Sequence, residues 1–151
     1  MVFDIFKIGE NMEAVKYDSL IFILDDNDEI QKLLQKRLYC ENFKKVMGFK
    51  TLLELSNSIP LNPEIIILDN YITKNNQDER EGLNNYIALK NRLPNTEFII
   101  FSGVSEWAIM YEFINNGAYS YVIKETGSLD TVILCVKQIL SKTQKVSERI
   151  I

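Results

Sequence analysis

The sequence contains no histidine. That excludes imidazole metal sites, triads with a histidine base, and any role as a phosphohistidine donor. Cysteine is scarce: Cys40 and Cys135 lie far apart, with no Cys-x-x-Cys spacing. Each falls in an apolar helical pattern, so both are expected as buried free thiols in a reducing cytoplasm. No apolar run approaches the roughly 20 residues needed to span a bilayer, and the first residues show no signal-peptide pattern. Basic charge is not in excess. Lys and Arg number 17 against 21 Asp and Glu, for a net charge of −4, which leaves no footprint for direct binding of nucleic acid. Internal repeats and low-complexity segments are absent too.

What remains is a chain of 151 residues, 46% apolar and 25% charged, a balance and length that suit one globular domain. Short apolar runs alternate with amphipathic stretches, which indicates an α/β protein with a parallel sheet. Strands are expected at Ser19 to Leu24, Lys45 to Phe49, Glu64 to Leu68, Phe98 to Phe101 and Tyr119 to Ile123. The third is continuously apolar, as suits a strand covered on both faces.

Helices are expected between and after the strands. The first, capped by Asn27, uses Ile30, Leu33, Leu34 and Leu38; the second uses Leu52, Leu53 and Leu55 and ends before Pro60. The polar stretch Thr73 to Glu81 reads as a loop. A third helix follows through Leu83, Tyr86, Ile87 and Leu93 and is stopped by Pro94. Ser105 is the expected cap of a fourth, through Trp107, Met110, Phe113 and Ile114, with Gly117 closing it. Ser128 opens the last, through Leu129, Val132, Ile133, Val136 and Leu140. Right-handed crossovers place these five helices on both faces of a doubly wound, five-stranded parallel sheet of the flavodoxin-like (βα)5 kind. The expected division is an N-terminal extension 1–17, a domain 18–142 and a C-terminal tail 143–151. The apolar cluster Val2, Phe3, Ile5, Phe6 and Ile8 either packs on the domain or a partner or frays. The segment from Ser141 either extends the last helix or leads onward.

Open parallel sheets bind ligands at the carboxyl ends of their strands. Asp25 and Asp26 follow the first strand, Asp69 the third, Ser102 the fourth and Lys124 the fifth. Any one of these is more simply a helix cap or a solvated charge, but five converging on one edge are hard to explain by stability. Two carboxylates about 5 Å apart repel by roughly 3 kcal/mol at an effective dielectric near 20. Such a cluster calls for a cation, and all-oxygen ligands suit Mg²⁺ or a similar hard ion. Lys124 adds a point charge and Ser102 a neutral donor, together able to offset charge on a transferring phosphoryl group. Asp69, after the most buried strand, is the best-placed nucleophile.

Leu24–Asp25–Asp26–Asn27, Ile67–Leu68–Asp69, Phe101–Ser102–Gly103 and the stretch from Gly117 to Lys124 resemble, in order and spacing, the motifs of response-regulator receiver domains. The resemblance covers about residues 18–142. It implies that Asp69 accepts a phosphoryl group from a histidine kinase or a phosphotransfer protein, and that Asp25, Asp26, Asp69 and the backbone carbonyl of Tyr71 hold Mg²⁺. It further implies that Ser102 and Lys124 contact the phosphoryl oxygens. Tyr121 takes the family's aromatic switch position, where a hydroxyl residue (here Ser102) moves toward the phosphate and the ring follows inward. Its plainer reading is a half-buried strand aromatic. The implied product is a signalling phosphoprotein that is no classical enzyme, acting through protein contact on a downstream target. Outward-facing members of the set Trp107, Met110, Tyr111 and Phe113 would supply a partner or homodimer patch, although Phe113 and Met110 read more simply as core. A receiver fragment of a longer regulator is also compatible.

Three departures from the family stand out. The segment from Asp69 to Gly82 is long and lacks the usual proline, with Thr73 to Arg80 as a polar insertion. Glu125 follows Lys124 where many members have a cis proline, so a trans peptide is expected. Tyr71 replaces a smaller polar residue and is expected to slow hydrolysis of the phosphorylated form. Rival readings fare worse. A pseudo-receiver that never takes phosphate would not be expected to keep all five residues. A haloacid-dehalogenase-like phosphatase would need an Asp-x-Asp nucleophile motif after the first strand, and a flavodoxin-like nucleotide binder a glycine- or hydroxyl-rich loop there instead of an acidic one.

Overall fold

A computed structural model of the chain describes residues 18–70 and 79–150. Strands β1 (Leu20–Leu24), β2 (Lys45–Phe49), β3 (Ile65–Leu68), β4 (Glu97–Ser102) and β5 (Ser120–Ile123) alternate with helices α1 (Asp28–Cys40), α2 (Leu52–Ser58), α3 (Glu79–Arg92), α4 (Trp107–Asn115) and α5 (Ser128–Ile150). A short 3₁₀ turn, Ile59–Leu61, follows α2 and carries Pro60, which cannot continue an α-helix. The strands form one parallel sheet in the order β2-β1-β3-β4-β5. The architecture is therefore the doubly wound one expected, with five strands and five helices among the described residues.

The apolar strands are central because both their faces must be covered. Ile21, Ile23, Ile65, Ile67, Ile99 and Phe101 point to the side of α1 and α5, where they meet Leu34, Leu38, Val132, Val136 and Leu140. Phe22, Leu24, Ile66, Leu68, Phe98 and Ile100 point the other way, onto Leu55, Tyr86, Leu89 and Phe113 of α2, α3 and α4. The period-two alternation of each strand builds both cores at once.

Helix ends follow local chemistry. Asn27 caps α1 by accepting from the N–H groups of Glu29 and Ile30. Thr51 and Glu54 form a capping box on α2. Gly117 (φ 93°) closes α4 in the left-handed region, with Ala118 N–H bonded to Phe113 O and Gly117 N–H to Ile114 O, the Schellman arrangement. None of the described peptide bonds is cis, so the bond after Lys124 is trans as expected.

Several local expectations are corrected. On α1 the buried stripe is rotated: Leu33 is exposed, and Gln31 is buried in its stead. The Gln31 amide donates to the main-chain oxygens of Asp25 (2.6 Å) and Phe49, which no apolar side chain could satisfy. Cys40, in the last turn of α1, is exposed, while Cys135 is buried. Leu53 is exposed because seven-residue α2 buries only Leu55. Ser105 does not cap α4; the N-cap is Glu106, which makes no side-chain capping bond. On α4 Phe113 is buried and Met110 half-buried, whereas Trp107, Tyr111 and Ile114 form an outward stripe. Helix α3 begins at Glu79, inside the stretch read as a loop, and α5 runs on to Ile150. The expectations for residues 1–17, Tyr71 and most of the Thr73 to Arg80 insertion lie outside the described residues.

Candidate functional site

The carboxyl edge of the sheet is assembled by main-chain bonds that run on past the strands. Asp25 N–H donates to Phe49 O (3.1 Å), Asp69 N–H to Leu24 O (2.8 Å) and Lys124 N–H to Ser102 O (2.8 Å). Asp25, Asp69 and Lys124 are thereby held at their backbones before any side chain interacts. Parity along β3 then separates Asp69 from its neighbours: Leu68 belongs to the core under α2 and α3, and Asp69 alternates to the other side.

Asp25, Asp26 and Asp69 each bring a carboxylate oxygen within 4.8 Å of the others, the one such set found among the described residues. Asp25 and Asp69 are buried, at 2% and 7% exposure, and Asp26 is half-buried. The Lys124 ammonium lies 2.7 Å from Asp25 Oδ2 and 3.2 Å from Asp69 Oδ2. The other oxygen of Asp25 accepts from Asn27 N–H at 2.8 Å. Burial is the largest single influence on Lys124 and favours its neutral form, but the hydrogen bonds to Asp25 and Asp69 and the charges of both together outweigh it. Its pKa is raised above the ordinary lysine value, so the amine is a fixed positive charge.

One ammonium cannot neutralise three carboxylates. The oxygen-only donor set, half-open at Asp26, fits a hard divalent cation in its charge and ligand type. Ser102 is fully buried at the end of β4, in register with Ile123, and its Oγ accepts from Val104 N–H at 3.2 Å. The hydroxyl proton is left to donate elsewhere. Tyr121 is half-buried on β5, and its hydroxyl donates to Val104 O at 3.0 Å. Ser102 and Tyr121 thus meet at one residue of the loop before α4, Val104, through its N–H and its carbonyl.

Two residues at this edge escaped the sequence reading. Gln31, described above, ties the Asp25 main chain to β2. Asn70 is buried at 7% exposure, and its Oδ1 lacks a protein donor among the described residues. It borders a small cleft shared with Asp69, Leu52 and Asn85. A Cβ at Gly82 would come within 2.0 Å of that Oδ1, so only glycine lets the first turns of α3 lie against the end of β3. A polar residue directly after the central apolar strand, and a glycine early in a helix, were the available signals.

No protein-family profile and no curated protein sequence matches the chain. Solved structures do. The BeF3-activated receiver domain of DrrB, a response regulator of Thermotoga maritima, is 21% identical with a TM-score of 0.69, over 82% of this chain and 97% of that one. A response regulator from Burkholderia pseudomallei with a phosphorylated aspartic acid and a calcium ion is 17% identical with a TM-score of 0.65, over 86% and 73%. NtrX from Brucella abortus in complex with ATP is 22% identical with a TM-score of 0.72, over 88% of this chain but 29% of that longer one. The five-stranded sheet, its strand order and its flanking helices are those of a response-regulator receiver domain.

Proposed function

We propose that the chain is a phosphoacceptor: Asp69 takes a phosphoryl group from the phosphohistidine of a histidine kinase or phosphotransfer protein, and later loses it to water. The observation that carries this reading is the Lys124 ammonium lying 2.7 Å and 3.2 Å from two buried aspartates of different strands, beside a third carboxylate. A cluster of that charge at the carboxyl edge of a parallel sheet is costly unless a cation completes it, and that cation together with Lys124 can then receive an anionic group. In the transfer, an Asp69 oxygen bonds to phosphorus as the phosphorus–nitrogen bond to the donor imidazole breaks. Lys124 meets the negative charge of the arriving group, and the Ser102 hydroxyl donates to one of its oxygens. Asp25, Asp26, Asp69 and the backbone carbonyl of Tyr71 would hold Mg²⁺, which supplies positive charge to the phosphoryl oxygens when bound.

The acyl phosphate adds a dianionic group next to Ser102, whose neighbour Val104 also takes the Tyr121 hydroxyl. Ser102 and Tyr121 are the switch pair in this reading. The signal leaves by protein contact through α4, where Trp107, Tyr111 and Ile114 are exposed, to a downstream protein or a second copy of the chain. We place the protein in the cytoplasm, with both thiols free. Among the described residues no helix is long and apolar enough to cross a membrane.

Incubation with acetyl phosphate and Mg²⁺, followed by intact-mass measurement, tests the reading. The parent chain is expected to gain one phosphoryl group and Asp69→Ala none. A parent that gains nothing would overturn it and leave a pseudo-receiver adaptor as the reading; an Asp69→Ala chain that still gains the group would overturn it by placing the acceptor on another residue.

A further inference from the structure

Helix α4 is weakly embedded for an element at the centre of a signalling surface. It has nine residues, of which only Phe113 is buried, and its N-cap residue Glu106 supplies no side-chain bond. Hydrophobic anchorage therefore rests on one buried ring, with half-buried Ile109 packed against the same core. Two tyrosine hydroxyls from neighbouring elements fasten its two ends. Tyr121 of β5 donates to Val104 O (3.0 Å), three residues before the helix, and Tyr86 of α3 donates to Asn116 O (2.9 Å), the residue that closes it. The carbonyl of a helix-closing residue has no partner within the helix, so the Tyr86 hydroxyl fills a place otherwise left to water.

The same two side chains flank the anchor itself. The Phe113 ring lies 5.3 Å from the ring of Tyr86 and 5.6 Å from that of Tyr121, and Tyr86 stands edge-on to Phe98 of β4 at 5.3 Å. Phenylalanine would serve this packing equally well. Only the hydroxyl reaches Asn116, at the turn where Gly117 takes its left-handed conformation. Burial, and secondarily the charge of Glu97, push the Tyr86 hydroxyl up to about 12, which keeps it a donor at any ordinary pH.

We propose that Tyr86 and Tyr121 form a two-ended clamp on α4, in which Tyr86 is a positioning residue that makes the C-terminal end of the helix a pivot. When Tyr121 moves, the N-terminal end carrying Trp107 swings while the Asn116–Gly117 turn stays in place. The clamp is a property of the fold; its link to signalling rests on the phosphoacceptor reading above.

Amide hydrogen exchange on Tyr86→Phe, Tyr121→Phe and the double variant tests the clamp without any phosphodonor. Tyr86→Phe is expected to speed exchange about fivefold at Asn116, Gly117 and Ala118, the order of one net hydrogen bond. Tyr121→Phe does the same at Met110 and Tyr111. In the double variant, exchange along α4 is expected to exceed the product of the single effects at least several-fold, because either hydroxyl alone still holds the helix. A simple product would mean that each tyrosine only satisfies its own buried hydroxyl, and would overturn the clamp. With Mg²⁺ and beryllofluoride, the parent is expected to change at Met110 and Tyr111 but not at Gly117 and Ala118, and Tyr86→Phe to change at both ends. A parent that changes equally at both ends would overturn the pivot. A parent that responds nowhere to beryllofluoride would count against the phosphoacceptor reading, while the exchange cycle without ligand still decides the clamp.

Discussion

Helices α4 and α5 both pack against β5, but by different means. Helix α5 buries Val132, Ile133, Cys135, Val136, Ile139 and Leu140 against the sheet and α1, each of the larger ones contributing about 2 kcal/mol. It is tied across to α1 by Arg37–Asp130 and Lys137–Glu41. The strand that leads into it is followed directly by Lys124, which reaches Asp25 and Asp69 at the ends of β1 and β3. Helix α4 has Phe113 and two hydroxyl bonds at its ends. A side held by many buried apolar residues moves only at the cost of the core, whereas one held by a single buried ring, half-buried Ile109 and two hydrogen bonds is displaced at a smaller cost. The comparison assigns the fixed scaffold to α1 and α5 and the adjustable surface to α4.

The largest way to break that comparison is at Lys124. Lys124→Met leaves Asp25 and Asp69 buried without their cation, and is expected to cost about 3–5 kcal/mol in chemical denaturation at neutral pH with chelator present. A cost under about 1 kcal/mol would show that this side is not anchored at the site. The pH dependence carries a definite sign. The Lys124 pKa is raised in the folded protein, so its stabilisation is complete below the ordinary lysine value of 10.5 and is lost as pH rises through the folded value. Stability of the parent is thus expected to fall above pH 10.5, and Lys124→Met to flatten that fall.

Next comes Ile133→Ala in α5, expected to cost about 3 kcal/mol in a single cooperative transition, through lost burial and the cavity left behind. If exchange showed α5 opening separately from the sheet, the division into fixed and adjustable helices would fail. The smallest effect is expected from Arg37→Ala. Arg37 and Asp130 are 40% and 71% exposed at their side chains, so the pair should contribute less than about 1 kcal/mol and less still in high salt. A larger loss would move the anchoring of α5 from its apolar face to its surface charges.

Much of this was legible beforehand, and for reasons that can be named. The runs at β1, β3 and β4 are apolar because both faces are covered, so strand positions, their count and the α/β class follow from pattern alone. Once the strands were placed, Asp25, Asp26, Asp69, Ser102 and Lys124 had to arrive at one edge, because every parallel strand ends on the same side. Apolar periodicity was less dependable on the helices. It put Leu33 and Leu53 inside, and both are exposed; α1 buries Gln31 instead, while on α2 Leu55 alone of the three expected residues is fully buried. A polar side chain buried to satisfy main-chain oxygens leaves no trace in a hydrophobic pattern.

The sequence by itself therefore settled which residues share the carboxyl edge of the sheet, since that follows from where each apolar run ends and from the parallel order of the strands. Tertiary structure alone decided that Lys124 lies between Asp25 and Asp69, that Asn70 faces the cleft beside α3, and that the Tyr86 and Tyr121 hydroxyls reach the two ends of α4. The hydrogen bonds among them join groups 17 to 99 residues apart in the chain. They depend on how helices settle against the sheet, which no local pattern encodes.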